Sequence, residues 1–330
     1  YFVYALSFGS NLSVSVRFSN DVEASRCAMS IGGKARQKIL SSLRSLLGSP
    51  PQSMLLQETV GELVRHTDQL TDVISVINRN EKSLSKYGKQ VFSQSDEDGI
   101  TLEIVQRLFD RKGVVVEIGV GDGIENNSLV LLALGWRAVW VGNEDLGFEV
   151  RDFAKSISYT KSWVTKDNIF ATVKQDCRDI DSDFSMVDIL MVDLDGNDFY
   201  VTEALLDGGM KPSVLVLEYN SYLPPPIDWK MEYNPENIWV PPSLNYGASL
   251  QAYVNLLSRR GYFLVACNAQ TGNNAFFVKN ELAGKFGDVS REIGDLYVGR
   301  AQNVYNTPHN KKKLSRDFIE SVLRSGLKQQ

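Results

Sequence analysis

The sequence is poor in the residues that build disulfide frameworks, zinc sites and imidazole-based catalysis. It has 3 cysteines and 2 histidines in 330 residues, and no cysteines form a CxxC pair. Because disulfide scaffolds and zinc sites need paired or clustered ligands, both are disfavoured, and a reducing, cytoplasmic location is expected. His66 lies in a helical N-terminal pattern and His309 in the tail, so neither is expected to be a catalytic base.

Two further absences limit the partners. No apolar run is long enough to cross a bilayer, so no membrane span is expected. The net charge of −5 at pH 7 leaves no basic surplus, and nucleic-acid binding is therefore not expected. The basic run at residues 311–313 is interpreted as a solvated tail.

The pattern of the chain divides it into four segments. Residues 1–35 are poorly defined, 36–87 are predicted to be a helical extension, 88–280 alternate strands and helices, and 281–330 form a charged tail. Around residues 55–78, apolar positions follow the spacing of a coiled-coil seam: Leu56, Val60, Leu63, Thr67, Leu70, Ile74 and Ile77. Such a short seam suits either a homo-oligomer or a helix packed on its own domain.

Seven short apolar runs from Gly113 to Lys279 alternate with helical patterns, including a predicted helix in "FEVRDFAKSI" before the third run. This alternation predicts a parallel sheet with helices on both faces. The last two runs, "YFLVACN" and "NAFFVK", are joined by a turn short enough for a hairpin, so the last strand should be antiparallel. Residues 221–245, rich in proline and aromatics, predict a long irregular insertion.

The first strand runs into a glycine-rich turn, "VVVEIGVGDGIENNS". The pattern E-x-G-x-G-x-G is formed by Glu117, Gly119, Gly121 and Gly123. Glycines permit positive φ and let a ligand approach the backbone closely. If the ligand carries an amino-acid group, Glu117 is expected to face that group, directly or through water.

The spacing of this turn disfavours a dinucleotide. The G-x-G-x-x-G fingerprint would need glycine where Ile124 stands, and Asp122 and Glu125 would repel a pyrophosphate. An acidic turn suits a cationic ligand instead. S-adenosylmethionine carries both an ammonium and a sulfonium group.

Acids are expected after the next two strands as well. An acid at the end of the second strand accepts hydrogen bonds from ribose hydroxyls. Glu144 fits this place, with Asn143 and Asp145 as alternatives. After the third strand, Asp167 or Asn168 could accept a hydrogen bond from the adenine amino group.

Several of these stretches resemble the FkbM-like methyltransferases, a branch of the S-adenosylmethionine-dependent Rossmann-like methyltransferases. The resemblance is carried by "FSQSDEDGI", "VEIGVGDGIENNS", "DILMVDLDGNDFYVTEALL", "VLVLEYN", "YGASL" and "NAFFVK", and covers about residues 88–280. It implies an α/β Rossmann-like methyltransferase sheet of seven strands with the last antiparallel, and methyl transfer to a small-molecule or glycan acceptor. Asn143 departs from the simpler acidic ending of relatives, which leaves the ribose acid open.

Methyl transfer to a hydroxyl needs a base, and without a suitable histidine the base should be a carboxylate. The fourth strand ends at Asp193 and Asp195, which are the favoured candidates, and the fifth ends at Glu218. Alternatively, Asp195 caps the following helix. Such acids could also hold Mg²⁺, although nothing in the sequence requires a metal.

The acceptor site is predicted around the insertion. Its candidate residues are Asn197, Asn220, Tyr222, Trp229, Trp239 and Tyr246. Aromatic rings can stack on sugar faces, but the same rings could instead pack a lid onto the core. The favoured function is O-methylation of a sugar or glycan-linked hydroxyl. The alternatives are a non-catalytic cofactor-binding fold that acts in assembly, and a nucleotide-sugar-modifying enzyme, which the acidic turn opposes.

Overall fold

The computed structural model describes strands at residues 5–8 and 14–17, residues 61, 62 and 73, and residues 75–299 apart from 151–154, 241, 242 and 244. The chain divides into two units, residues 1–74 with 301–307 and residues 75–300 with 308–330. In the first, Ala5–Phe8 pairs antiparallel with Val14–Arg17. Most of the predicted coiled coil, both histidines and the basic run lie outside the described residues; 61, 62, 73 and 75–78 are helical.

The second unit contains a seven-stranded sheet, and its elements are numbered from the first strand of that sheet. The strands are β1 Val114–Ile118, β2 Arg137–Gly142, β3 Ile157–Lys161, β4 Ile189–Val192, β5 Val214–Glu218, β6 Tyr262–Cys267 and β7 Asn274–Lys279. The α-helices are α1 Glu97–Leu108, α2 Leu129–Ala133, α3 Ile169–Asp179, α4 Asp198–Asp207, α5 Leu250–Ser258 and α6 Ile293–Leu296. Short 3₁₀ helices occur at Leu84–Tyr87, Phe184–Met186 and Asn280–Lys285.

The strand order is β3-β2-β1-β4-β5-β7-β6. The pairings among β1 to β5 are parallel, whereas β7 runs antiparallel to both of its neighbours, β5 and β6. Every residue of β1, β4 and β5 is buried, which requires cover on both faces because successive side chains point to opposite sides. The predicted seven-stranded Rossmann-like sheet, with its last strand antiparallel, is confirmed.

Two predictions on the connections have different outcomes. The irregular insertion is confirmed, since its only ladder contact among the described residues is one bridge between Lys230 and Ala248. The helix predicted over residues 148–157 is absent from its described residues, and β3 already begins at Ile157. Phe148 instead packs edge-on against the ring of Trp140, 6.1 Å away, which ties the start of this segment to the core.

The predicted boundaries at residues 88 and 280 lie inside the second unit. On the N-terminal side, the side chain of Asn78 donates to the carbonyl of Ala269. On the C-terminal side, Phe286, Leu296 and Val298 are buried in the core. Phe286 follows the 3₁₀ helix Asn280–Lys285, and Leu296 ends the four-residue helix α6, so the helical pattern of this segment is short and weak. Within the described part of the chain, no helix is long and apolar enough to cross a membrane.

The strand order reverses between β1 and β4, and their ends touch there. The Asp193 amide donates to the Ile118 carbonyl at 3.0 Å. Gly119 has φ of +96°, and a Cβ on it would lie 1.6 Å from the Asp193 carbonyl oxygen. Because ligands of open α/β sheets bind at this switch point, beyond the carboxyl ends of the strands, the functional site is sought here.

We predict that Gly119→Ala lowers the free energy of unfolding by roughly 3 kcal/mol or more, since it combines backbone strain with a clash against backbone. Gly209→Ala is the matched control, because Gly209 has φ of +99° but no neighbouring atom within 4 Å of the place where its Cβ would lie. It should cost only about 1–2 kcal/mol. Urea unfolding measures both, and equal losses would contradict the steric account.

Candidate active site

The glycine turn is shaped largely by contacts within the protein. Gly119, Gly121 and Gly123 all have positive φ, at +96°, +58° and +80°. A Cβ on Gly123 would lie 2.9 Å from Leu146, in the loop after β2. The Gly147 amide also donates to the Asp122 carbonyl at 2.7 Å, so the loops after β1 and β2 are joined.

Glu117 lies beneath this turn and is buried. Its carboxylate accepts hydrogen bonds from the Asn127 amide at 2.9 Å, from the Ser128 amide at 3.0 Å, and from the Ser128 hydroxyl. Burial raises the pKa of Glu117, while these hydrogen bonds oppose the rise. Since both carboxylate oxygens already accept hydrogen bonds, Glu117 anchors the start of α2. A ligand that contacts Glu117, as predicted, would have to bind the same two oxygens.

The acids after β2 and β3 are exposed, and two of the alternatives are engaged elsewhere. Asp145 forms an ion pair with Lys161 at 2.7 Å. The side chain of Asn168 accepts from the Thr165 amide and donates to a carbonyl in the same turn, which occupies it locally. Glu144 and Asp167 are both exposed at the same edge of the sheet.

The turn after β4 is held by Asp198. Its two carboxylate oxygens accept from the Leu194 amide at 2.6 Å and the Gly196 amide at 2.8 Å. Asp195 lies between them in the left-handed region, with φ of +54°, and is exposed. Asp198 therefore closes the turn before α4. Asp195 was considered for a capping role at this helix in the sequence analysis.

Three carboxylates converge at this end of β4 and β5. One oxygen from each of Asp193, Asp198 and Glu218 lies within 4.8 Å of the other two. Two full charges at that separation repel by about 3 kcal/mol at an effective dielectric constant near 20. The cluster therefore needs bound protons or a cation to offset its charge.

Burial and neighbouring acids shift the titration of this cluster. Burial, followed by the charges of Asp195 and Asp198, raises the pKa of Asp193 well above its usual range. Burial likewise raises the pKa of Asp198 to about 6. The hydroxyl of Tyr253, on α5, is buried without a hydrogen-bond partner among the described residues. Burial raises its pKa, and the negative charges of Asp198, Glu218 and Asp193 add to the rise. The Tyr253 ring lies 5.6 Å from that of Phe199, which follows Asp198 in the chain.

The "SDED" stretch before β1 adds further buried acids. Asp98 accepts from three backbone amides at residues 91–93, and Asp96 accepts from the amides of residues 269 and 270. Glu97 accepts from the Asn274 side chain on β7, and its charge contributes to the raised pKa of Asp193. This stretch thus ties α1 to the β6–β7 hairpin and brings negative charge near the site.

The insertion lies against the turns after β3 and β4. Asn197 donates from its side chain to the Asn234 carbonyl at 2.6 Å and accepts from the Asn234 amide at 3.3 Å. The indole of Trp163 donates to the Pro235 carbonyl at 2.6 Å. Asn197, predicted to bind substrate, therefore fastens the insertion to the base of α4.

Trp229 forms the core of the insertion itself. It is buried in a small cluster with Leu223 and Met231. Its backbone exchanges two hydrogen bonds with Ser249, at the start of α5. A sugar cannot reach this ring unless the insertion opens. Trp229 therefore has the alternative role considered in the sequence analysis, which was to pack the insertion onto the core.

The remaining predicted acceptor residues differ in exposure. Tyr246 is buried, with its ring 5.7 Å from that of Trp239, and its carbonyl accepts from the buried side chain of Asn220. Tyr222 and Trp239 are half-buried. These two rings are the accessible members of the predicted set.

Three residues of this region were missed in the sequence. Asp198 stands in the quoted string "DLDGND", where its spacing from Asp193 gave a usable signal. Tyr253 had none, because a tyrosine within an apolar helix pattern is typical of core packing. Trp163, 44% exposed beside the insertion, lies in "SYTKSWVT", the third of the seven apolar runs, which was interpreted only as a strand.

No protein-family model and no curated protein matches the chain. Among solved structures, it is similar to the glycopeptide N-methyltransferase MtfA complexed with S-adenosyl-L-methionine, at 13% identity and a TM-score of 0.30, over 53% of this chain and 90% of that one. MtfA complexed with S-adenosyl-L-homocysteine matches at 14% identity and a TM-score of 0.30, over 59% and 95%. At that TM-score the likeness does not bear on function, which is argued below from the chain's own residues.

We predict that Asn197→Ala loosens the insertion, because it removes two hydrogen bonds to the backbone of Asn234. The free energy of unfolding should fall by about 1–2 kcal/mol. Hydrogen exchange should speed up across residues 230–238. Asn255→Ala, which removes the hydrogen bond to Asp228 at the other end of the insertion, is the control and should leave that exchange unchanged. Unchanged exchange in the Asn197 variant would contradict the role given to this side chain.

Proposed function

We propose that the chain is an S-adenosylmethionine-dependent methyltransferase that O-methylates a sugar or glycan-linked hydroxyl. The observation that carries the proposal is the placement of acids after three adjacent strands, around a glycine turn at the switch point. Asp122 follows β1, Glu144 follows β2 and Asp167 follows β3, each with an accessible side chain.

The donor set of this edge fits the cofactor. Glu144 can accept two hydrogen bonds from a ribose diol, and Asp167 can accept one from an exocyclic amine. Gly121, with φ of +58°, turns the backbone beside them, and the charges of Asp122 and Glu117 favour a cation there. When bound, S-adenosylmethionine supplies an electrophilic methyl group on a sulfonium.

The carboxylates at the ends of β4 and β5 are proposed to take the acceptor's proton. With the cofactor bound, the hydroxyl oxygen would form the new bond to the methyl carbon, the carbon–sulfur electron pair would stay on sulfur, and the hydroxyl proton would pass to a carboxylate. Asp193 is the best placed because it is half-buried and lies at the switch point, with Asp195 and Glu218 as the other candidates. The raised pKa of Asp193 makes its carboxylate, when deprotonated, a stronger base than an ordinary aspartate.

The acceptor is proposed to lie between the insertion and the turns after β3 and β4. Trp163 is partly exposed there, and Trp239 and Tyr222 are half-buried. Flat rings beside carboxylates and amides match the two faces of a sugar, which has an apolar surface of C–H groups and a polar edge of hydroxyls.

We predict that S-adenosylmethionine binds in the micromolar range while NAD⁺ does not bind, as measured by calorimetric titration of each. Glu144→Gln should weaken binding by roughly tenfold, since it removes a charge-assisted acceptor. Asp167→Asn should weaken it less. The control is Asp179→Asn, because Asp179 is an exposed acid at the end of α3. The affinity of this variant for S-adenosylmethionine should stay within about twofold of the wild-type value. Gly121→Val should abolish binding, and unchanged affinity in these three variants would overturn the assignment.

Transfer is tested with methyl-labelled cofactor and parallel acceptors: free sugars, nucleotide-activated sugars, glycans, and amino-sugars of the same shapes. Label on hydroxyl acceptors is expected, with Asp193→Asn slowing turnover by roughly 100-fold. If only the amino-sugars become labelled, the proposal of O-methylation is overturned in favour of N-methylation. Cofactor binding without transfer to any acceptor would favour the non-catalytic assembly role.

A further inference from the structure

The three convergent carboxylates have the geometry of a cation site. Two oxygens that coordinate one Ca²⁺ or Mn²⁺ ion can be at most about 4–5 Å apart, because each bond is about 2.1–2.6 Å long. Asp193, Asp198 and Glu218 each bring an oxygen within 4.8 Å of the others. Carboxylate oxygens are the ligands preferred by hard divalent cations.

The turn after β4 keeps part of this set in place. Asp198 is fixed by the amides of Leu194 and Gly196, one on each carboxylate oxygen. Each oxygen keeps a second lone pair, so these contacts orient the carboxylate without using up its capacity. Asp193, five residues earlier, has no ion pair or hydrogen bond through its side chain within the described ranges.

The second observation is Tyr253. It is fully buried, and its hydroxyl has no hydrogen-bond partner among the described residues. Its ring lies 5.6 Å from that of Phe199, the residue that follows Asp198 in the chain. A buried hydroxyl without a partner is costly. A cation in the cluster, with its coordinated water, would supply the missing partner, because a tyrosine hydroxyl both donates and accepts.

We propose that Asp193, Asp198 and Glu218 bind a divalent cation of the hard class, with Tyr253 hydrogen-bonded to its coordination shell. The proposal that a cation binds is argued from the residues around the cluster and does not depend on the proposed function. The catalytic role of the cation does rest on the proposed function. In that role the cation holds the acceptor's hydroxyl and lowers its pKa, while the hydroxyl proton passes to solvent or a nearby carboxylate. Asp193 and Glu218 then act as ligands rather than as general bases.

The test measures binding without cofactor or acceptor, so that it is independent of methyl transfer. Mg²⁺, Mn²⁺ and Ca²⁺ are titrated separately into the full chain by calorimetry after chelator treatment, and the electron paramagnetic resonance of free Mn²⁺ provides a second readout. We expect one site per chain. Asp193→Asn and Glu218→Gln should each weaken binding of the preferred cation at least about tenfold. Asp179→Asn, which changes an exposed acid at the end of α3, should weaken it less than about threefold.

Tyr253→Phe separates a cation site from a structural acid cluster. In chelator, its melting temperature should equal or exceed that of the wild type, because the unpartnered hydroxyl is gone. Its cation affinity should fall severalfold. No binding of any of the three cations at low-millimolar concentration, or equal affinity in the wild type and in the Asp193 and Glu218 variants, would overturn the proposal. Cofactor binding would be unaffected by that result, and so the two proposals can fail separately.

Discussion

The contact between Gly119 and the carbonyl of Asp193 is the constraint on which the site depends. It leaves no room for a Cβ, so the ends of β1 and β4 meet at backbone distance. From this point the chain leaves β1 towards α2 on one side and β4 towards α4 on the other. Both the glycine turn and the carboxylate cluster lie at this junction, which places the two proposed half-sites next to each other.

Negative charge is concentrated at this junction in two different ways. Glu117, Glu97 and Asp98 are buried and hydrogen-bonded to backbone amides or side chains, so they support turns. Asp193 is half-buried and has no such contacts within the described part of the chain, while Glu144 and Asp167 are exposed. The first group explains how the fold tolerates buried acids, because each carboxylate has donors. The second group provides the charge that a cationic ligand would meet.

Much of the fold could be predicted because its signals are local. The buried strands are continuous apolar runs, and a short turn between the last two strands predicts the hairpin. The helix expected over residues 148–157 is absent from its described residues, where Phe148 packs on Trp140, a contact that depends on the tertiary fold. The segment after residue 280 was predicted to be a tail because its helices are short. Phe286 and Val298 are nevertheless buried in the core.

The site was only partly accessible from sequence. Asp193 and Glu218 could be placed at strand ends, and the topology then brings them together. Asp198 belonged to the same string but was passed over. Tyr253 could not have been found, because its proposed role depends on where the tertiary fold places α5, with the Tyr253 ring 5.6 Å from that of Phe199 on α4. For Trp229 the sequence suggested a binding role, whereas the structure shows packing. An aromatic residue in an insertion can pack a small core as readily as it can bind a sugar.

The most direct measurement is photo-cross-linking of methyl-labelled S-adenosylmethionine to the full chain, followed by peptide mapping. The account predicts saturable labelling within residues 119–128, 143–149 or 163–168, prevented by S-adenosylhomocysteine and unaffected by NAD⁺. Labelling confined to the opposite end of the strands, near residues 180–188, or no saturable labelling at all, would contradict it.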